Sequence, residues 1–160
     1  MLAITIVGAL AAIAAAMFTY PSWKASLAKP ELRLVVEAGP ATSALFFMKL
    51  KNEGEGSGVD WIVEFKMKRG SRFIPNDLSF RGWTDRETSD EWVATWMASG
   101  SDDSIGPGLH RSLLMTPASG SPVSIHATYS INAGRMKERT GRIEVGIGDD
   151  PERLQTITTT

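Results

Sequence analysis

The sequence predicts a mainly β protein: an N-terminal transmembrane helix followed by an antiparallel β-sandwich of seven or eight strands. Three observations lead there. From Leu2 to Phe18 the chain runs seventeen residues without a charged side chain. Beyond it, apolar and polar residues alternate with period two in one short stretch after another, the pattern of strands with one buried face. The 15 Gly and 8 Pro are spread along the chain as punctuation between those stretches and are not gathered in one linker.

The first element is the apolar run LAITIVGALAAIAAAMF. As a helix, seventeen residues span about 25 Å, and adding Thr19 and Tyr20 brings the run close to the ~30 Å hydrocarbon core of a bilayer. Tyr20 and Trp23 suit the headgroup level, and Pro21 stops the helix because it lacks an N–H. The rival readings are a cleaved signal peptide and a buried core helix. No Lys or Arg precedes the run, so the basic n-region of a signal peptide is missing, and nothing amphipathic beside it marks a core helix. The expectation is a single-pass signal-anchor over residues 1–20 and a linker over 21–30. Lys24, Lys29 and Arg33 follow the segment, which favours a cytoplasmic domain by the positive-inside rule. The chain contains no Cys, which suits either side of the membrane.

Residues 31–148 are enough for one domain with its own core. Leu32, Leu34 and Val36 open it as a first strand, and Phe46, Met48 and Leu50 mark a second. The clearest alternation is the third: Val59, Trp61, Val63, Phe65 and Met67 on one face, Asp60, Glu64, Lys66 and Lys68 on the other, with Ile62 out of step. A short fourth strand is expected at 78–82 after the turn at Pro75, Asn76 and Asp77. The fifth, at 91–98, places Trp92, Ala94 and Trp96 inward; the sixth covers 110–116. The seventh, at 122–131, buries Val123, Ile125, Ala127, Tyr129 and Ile131 and exposes His126. The eighth, at 142–147, buries Ile143, Val145 and Ile147. Residues 149–160 read as a polar tail.

Immunoglobulin-like sandwiches share this strand pattern as an architecture, although no paired Cys or diagnostic Trp spacing marks a true immunoglobulin domain. A closed β-barrel is the second choice.

No constellation for catalysis stands out. The two histidines, His110 and His126, have no partner at a specific spacing, and no Gly-x-Ser-x-Gly elbow is present. The loop from Gly54 to Gly58 carries Glu55 and follows Glu53, so it reads as a flexible hairpin and not a phosphate cradle. No catalytic residue, cofactor site or metal ligand is therefore nominated. Asp102 with Asp103 and Asp149 with Asp150 fall at opposite ends of an up-and-down sandwich and cannot share a calcium ion. Trp92 and Trp96, at strand spacing, are expected in the core and not on a carbohydrate-stacking surface.

The same alternation of loops between two ends yields one candidate site. It gathers Lys68, Arg69, Arg72, Arg135, Lys137 and Arg139 at the end remote from the membrane, as a basic tip with Arg69, Arg72, Arg135, Lys137 and Arg139 as binding residues. The opposite end is acidic. Charged residues make up 22 % of the chain and the formal net charge is −1, so no nucleic-acid partner is expected. The reading that follows is a non-catalytic module at the cell membrane that binds or assembles with another protein. Its alternatives are a secreted or periplasmic sandwich binding carbohydrate or another small ligand, and an enzyme whose site is not legible in sequence.

Overall fold

The computed structural model describes residues 28–39, 45–76, 82–118, 124–147 and 154–159. The run from Leu2 to Phe18 and its Tyr20–Trp23 flank lie outside them. No helix among the described residues is long and apolar enough to cross a membrane. Among the described residues there are ten strands: β1 (Leu32–Ala38), β2 (Phe46–Asn52), β3 (Ile62–Lys68), β4 (Phe73–Pro75), β5 (Trp83–Glu87), β6 (Glu91–Met97), β7 (His110–Pro117), β8 (Ser124–Asn132), β9 (Arg139–Ile147) and β10 (Leu154–Thr159). They form two antiparallel sheets, one in the order β1-β2-β7-β4 and the other β10-β9-β8-β3-β6-β5. The fold is a β-sandwich and not a single closed barrel.

Period-two alternation places the core where it was expected. Leu32, Leu34 and Val36 of β1, Phe46, Met48 and Leu50 of β2, and Val63, Phe65 and Met67 of β3 are all buried. Trp92, Ala94 and Trp96 of β6 join them, with Ile125, Ala127, Tyr129 and Ile131 of β8 and Ile143 and Val145 of β9. The sheets are locked by aromatic rings. Phe73 of β4 meets Phe65 of β3 at 5.6 Å and Trp92 of β6 at 5.9 Å, both edge to face. Phe46 and Trp83 complete the cluster around Phe73 at 5.6 and 6.2 Å.

Three expectations are corrected. Val59 was assigned to the inner face of the third strand, but β3 begins at Ile62 and Val59 is exposed. Asp60, with a φ of 49°, breaks the extended backbone between them. Of the fourth strand expected at 78–82, residues 78–81 lie outside the described residues and Gly82 is in a turn. Two strands, β4 and β5, flank that segment where one was expected between Lys68 and Glu91. Finally, the expected polar tail contains β10, which pairs with β9 across a register shift between Leu154 and Thr156. Its threonines are polar but β-branched, so the segment suits an extended edge.

The extra strand reverses every loop that follows. One end of the sandwich, the base, holds the start of β1, the end of β2 and the start of β3, because Leu32 pairs with Asn52, and Ile62 with Met97 and Asn132. The opposite end holds Ala38, Lys68, Glu91 and Pro117. The chain enters at the base.

Candidate functional site

The most elaborately built feature of the described surface is the socket that receives the entering chain. Residues 28–32 are held from both sheets. On one side, Glu53 N donates to Glu31 O at 2.9 Å and Gly56 N donates to Lys29 O at 3.1 Å. Asn52, buried at the end of β2, organises this side. Its Oδ1 accepts from Glu31 N at 3.1 Å and Gly54 N at 3.0 Å. Its Nδ2 donates to Gly56 O at 2.6 Å and Ile105 O at 2.8 Å. All four hydrogen bonds available to the side chain are thus made, as a buried amide requires.

On the other side, the β8–β9 loop folds over the start of β1. Leu32 N donates to Met136 Sδ at 3.2 Å. The Arg139 guanidinium donates to Leu32 O at 3.2 Å and pairs with Glu31 at 3.2 Å. These contacts satisfy the outward backbone groups of Leu32 on edge strand β1, which are otherwise open to pairing with another chain.

The loop from Gly54 to Gly58 is therefore a docked wall, not the flexible hairpin its composition suggests. A Cβ on Gly54 would lie 2.5 Å from Glu31 N and Lys29 O, and one on Gly56 would overlap the Ala28 carbonyl. Only glycine allows so close a backbone approach. Gly56→Ala is expected to push the entering chain off the base at a cost of about 2 kcal/mol. Cleavage at Glu31 by a glutamate-specific protease then rises about thirtyfold while the tryptophan core stays native. Unchanged protection would show that the wall does not hold the chain.

A second braced loop sits beside the socket. Asp103, in the short 3-10 turn Ser101–Asp103, accepts hydrogen bonds from the Ser99 hydroxyl and from Ser99 N (2.8 Å), and pairs with Arg111 at 3.4 Å. The Trp61 indole donates to its carbonyl at 2.7 Å. The Ser99 hydroxyl first, then the Ser99 N–H and the Arg111 charge, hold the Asp103 carboxyl below its ordinary 3.8. A depressed carboxyl contributes stability above its unfolded pKa and loses it as pH falls through the folded one. Asp103→Asn is expected to cost about 1 kcal/mol at pH 7 and nothing once pH falls below the folded value, read from urea unfolding at both pH values. An equal loss at both would point to packing instead.

The basic tip is not one site. Arg69 and Arg72 follow β3, at the end opposite the base; Arg69 pairs with Glu87 at 3.4 Å. Arg135, Lys137 and Arg139 belong to the β8–β9 connection, at the base. The reason is parity: β4 and β5 occupy the interval given to one strand, so each later loop changes ends. At the base, Lys137 and Arg139 line one groove with Glu31, Glu53, Glu55 and Glu138. Asp102 and Asp103 also lie at the base, while Asp149 and Asp150 are outside the described residues.

The outer face of the six-stranded sheet carries a groove of about 660 Å³, lined by Lys66, Lys68, Asp90, Glu91, His126, Arg142 and Glu144 among others. Beside it, the β8–β9 pairing brings together a serine, a histidine and a carboxylate that no sequence spacing pairs. Ser124 Oγ lies 3.3 Å from His126 Nε2, and His126 Nδ1 lies 3.9 Å from Glu144 Oε2. The order of atoms is that of a hydrolytic triad, but the arrangement lacks its working parts. At 3.9 Å the carboxylate does not hydrogen-bond the ring, and Ser124 Oγ also reaches Glu144 directly at 3.4 Å. The His126 side chain is 70 % exposed. Among the described residues, the backbone around His126 and Glu144 is part of the β8–β9 ladder. The trio was legible only through register, since His126 sits opposite Glu144.

Trp92 and Trp96 are in the core, and Trp92 Nε1 donates to Asp85 Oδ2 at 3.0 Å. Trp83 is half-buried against the same cluster. His110 opens β7 on the surface.

No family model matches the chain, and no curated protein matches its sequence. Among solved structures, it is similar to a protein of Nocardia farcinica with an immunoglobulin-like fold, at 15 % identity and a TM-score of 0.41, over 67 % of this chain and 81 % of that one. It is also similar to an exo-β-N-acetylglucosaminidase of Vibrio harveyi, at 12 % identity and a TM-score of 0.37, over 79 % of this chain but 19 % of that one. A third likeness is to the collagen-binding subdomain of the Enterococcus faecalis surface protein ACE, at 9 % identity and a TM-score of 0.35, over 72 % and 94 %. None of the three lends this chain a ligand or a reaction.

Proposed function

We propose that this chain is a single-pass, membrane-anchored and non-catalytic β-sandwich that binds another protein at a membrane surface, with its domain on the cytoplasmic side. The observation that carries the reading is the two-sided socket around residues 28–32. A flexible tether needs no such device, whereas a domain that must meet a partner at a set height and angle does. The socket begins ten residues after Phe18, the end of the uncharged run, so only a short stretch of sequence lies between them. Lys24, Lys29 and Arg33 support the cytoplasmic side.

Catalysis is disfavoured by the exposure and spacing of the Ser124, His126 and Glu144 trio. Carbohydrate stacking is disfavoured because Trp92 and Trp96 are buried and Trp83 packs against the core. The test is protease protection on intact membranes with a C-terminal tag. An uncleaved N-terminus in the membrane fraction, with the tag digested only from the cytoplasmic side, is the expected result. A processed N-terminus in the soluble fraction would overturn the reading.

A further inference from the structure

We infer that the base of the sandwich is itself a lipid-contacting surface, with Val59, Ile62 and Leu109 resting in the headgroup zone of the bilayer that holds the anchor. This rests on the membrane-anchor reading above and names what the base meets. The exposed large hydrophobic side chains among the described residues are these three, at 43, 42 and 62 % exposure. All three are at the base: Val59 in the β2–β3 connection, Ile62 at the start of β3, and Leu109 immediately before β7. The opposite end has no counterpart among the described residues.

Local backbone geometry turns two of them outward. Asp60, directly after Val59, has a φ of 49°, and Gly108, directly before Leu109, has a φ of 72°. Left-handed residues at these positions interrupt the extended chain that would otherwise carry the neighbouring side chain inward.

Chain length selects lipid over protein as the occupant. Seven residues separate Tyr20 from Ala28, and even fully extended they span no more than about 28 Å. The socket then fixes residues 28–32 to the base. A folded protein partner has no room between this end and the bilayer while the tether occupies the same gap. The charges at the base are mixed, with Arg135 and Lys137 set among Glu53, Glu55 and Asp60, so the contact is one of apolar side chains and not of anionic headgroup attraction.

The absence of cysteine makes the test direct. Val59→Cys, Leu109→Cys and Asp90→Cys, the last at the opposite end, are each labelled with a nitrobenzoxadiazole probe in the full chain. The chains are reconstituted into phosphatidylcholine vesicles with and without lipids carrying a nitroxide near the headgroup. Flotation of each variant reports anchoring separately from quenching. The expected result is flotation of all three, with quenching at positions 59 and 109 exceeding that at 90 by more than about twofold, and little change on adding anionic lipid. Flotation with equal, water-like emission at all three positions would overturn the lipid contact and leave the anchor standing. Failure to float would overturn both.

Discussion

Asn52→Leu is expected to destabilise the protein by about 3–4 kcal/mol, because the apolar replacement strips partners from four groups inside the base. Glu31 N, Gly54 N, Gly56 O and Ile105 O all bond to this one amide. Leucine fills a similar volume, so the loss reports hydrogen bonding and not a cavity. Equilibrium urea unfolding followed by tryptophan fluorescence, with core reporters at Trp61, Trp92 and Trp96, measures it. The slope with denaturant should be unchanged while the midpoint falls. A loss below about 1 kcal/mol would mean that water replaces the amide at little cost and that the socket is not rigid. Asn52→Asp adds a sharper contrast. Its carboxylate keeps the two acceptor roles but faces the Gly56 and Ile105 carbonyls, so this variant should be more stable in acid than at neutral pH.

Phe73→Ala is expected to cost about 4 kcal/mol, a large effect for a residue on a three-residue strand. Its ring is fully buried and meets Phe46, Phe65, Trp83 and Trp92, so it joins the edge of one sheet to the other. Phe73→Leu should cost about 1–1.5 kcal/mol, since most of the apolar volume survives but the edge-to-face contacts do not. Thermal unfolding with near-ultraviolet circular dichroism reads both, because loss of Phe73 frees the tryptophans it packs against. If the alanine variant costs no more than the leucine variant, the cluster is not a tie between the sheets.

These two residues mark the limit of what patterning reveals. Phe73 stands in the run Arg72-Phe73-Ile74-Pro75, too short for an alternation to register. Strand β5, of sequence Trp83-Thr84-Asp85-Arg86-Glu87, buries little and carries three charges, which suits an exposed edge but hides it from any search for apolar periodicity. β10 was hidden in the same way by its threonines. Asn52 and the glycines after it look like ordinary turn residues. Their role depends on Glu31, about twenty positions earlier, and Ile105, about fifty positions later, and no local window contains those.

By itself, the sequence determined the mainly β, two-sheet architecture of residues 31–147 and the buried face of the main strands. Inward and outward sides are set by a period of two that each strand carries within its own seven to nine residues. It also carried the uncharged run from Leu2 to Phe18, whose meaning depends on solvent and not on partners in the fold. Only the tertiary structure decided which loops share an end. Antiparallel strands reverse direction at every step, so one uncounted strand between Lys68 and Glu91 moves Arg135, Lys137 and Arg139 from the far end to the base. The same reversal brings Met136 and Arg139 onto Leu32, and so holds the start of β1 from both sheets.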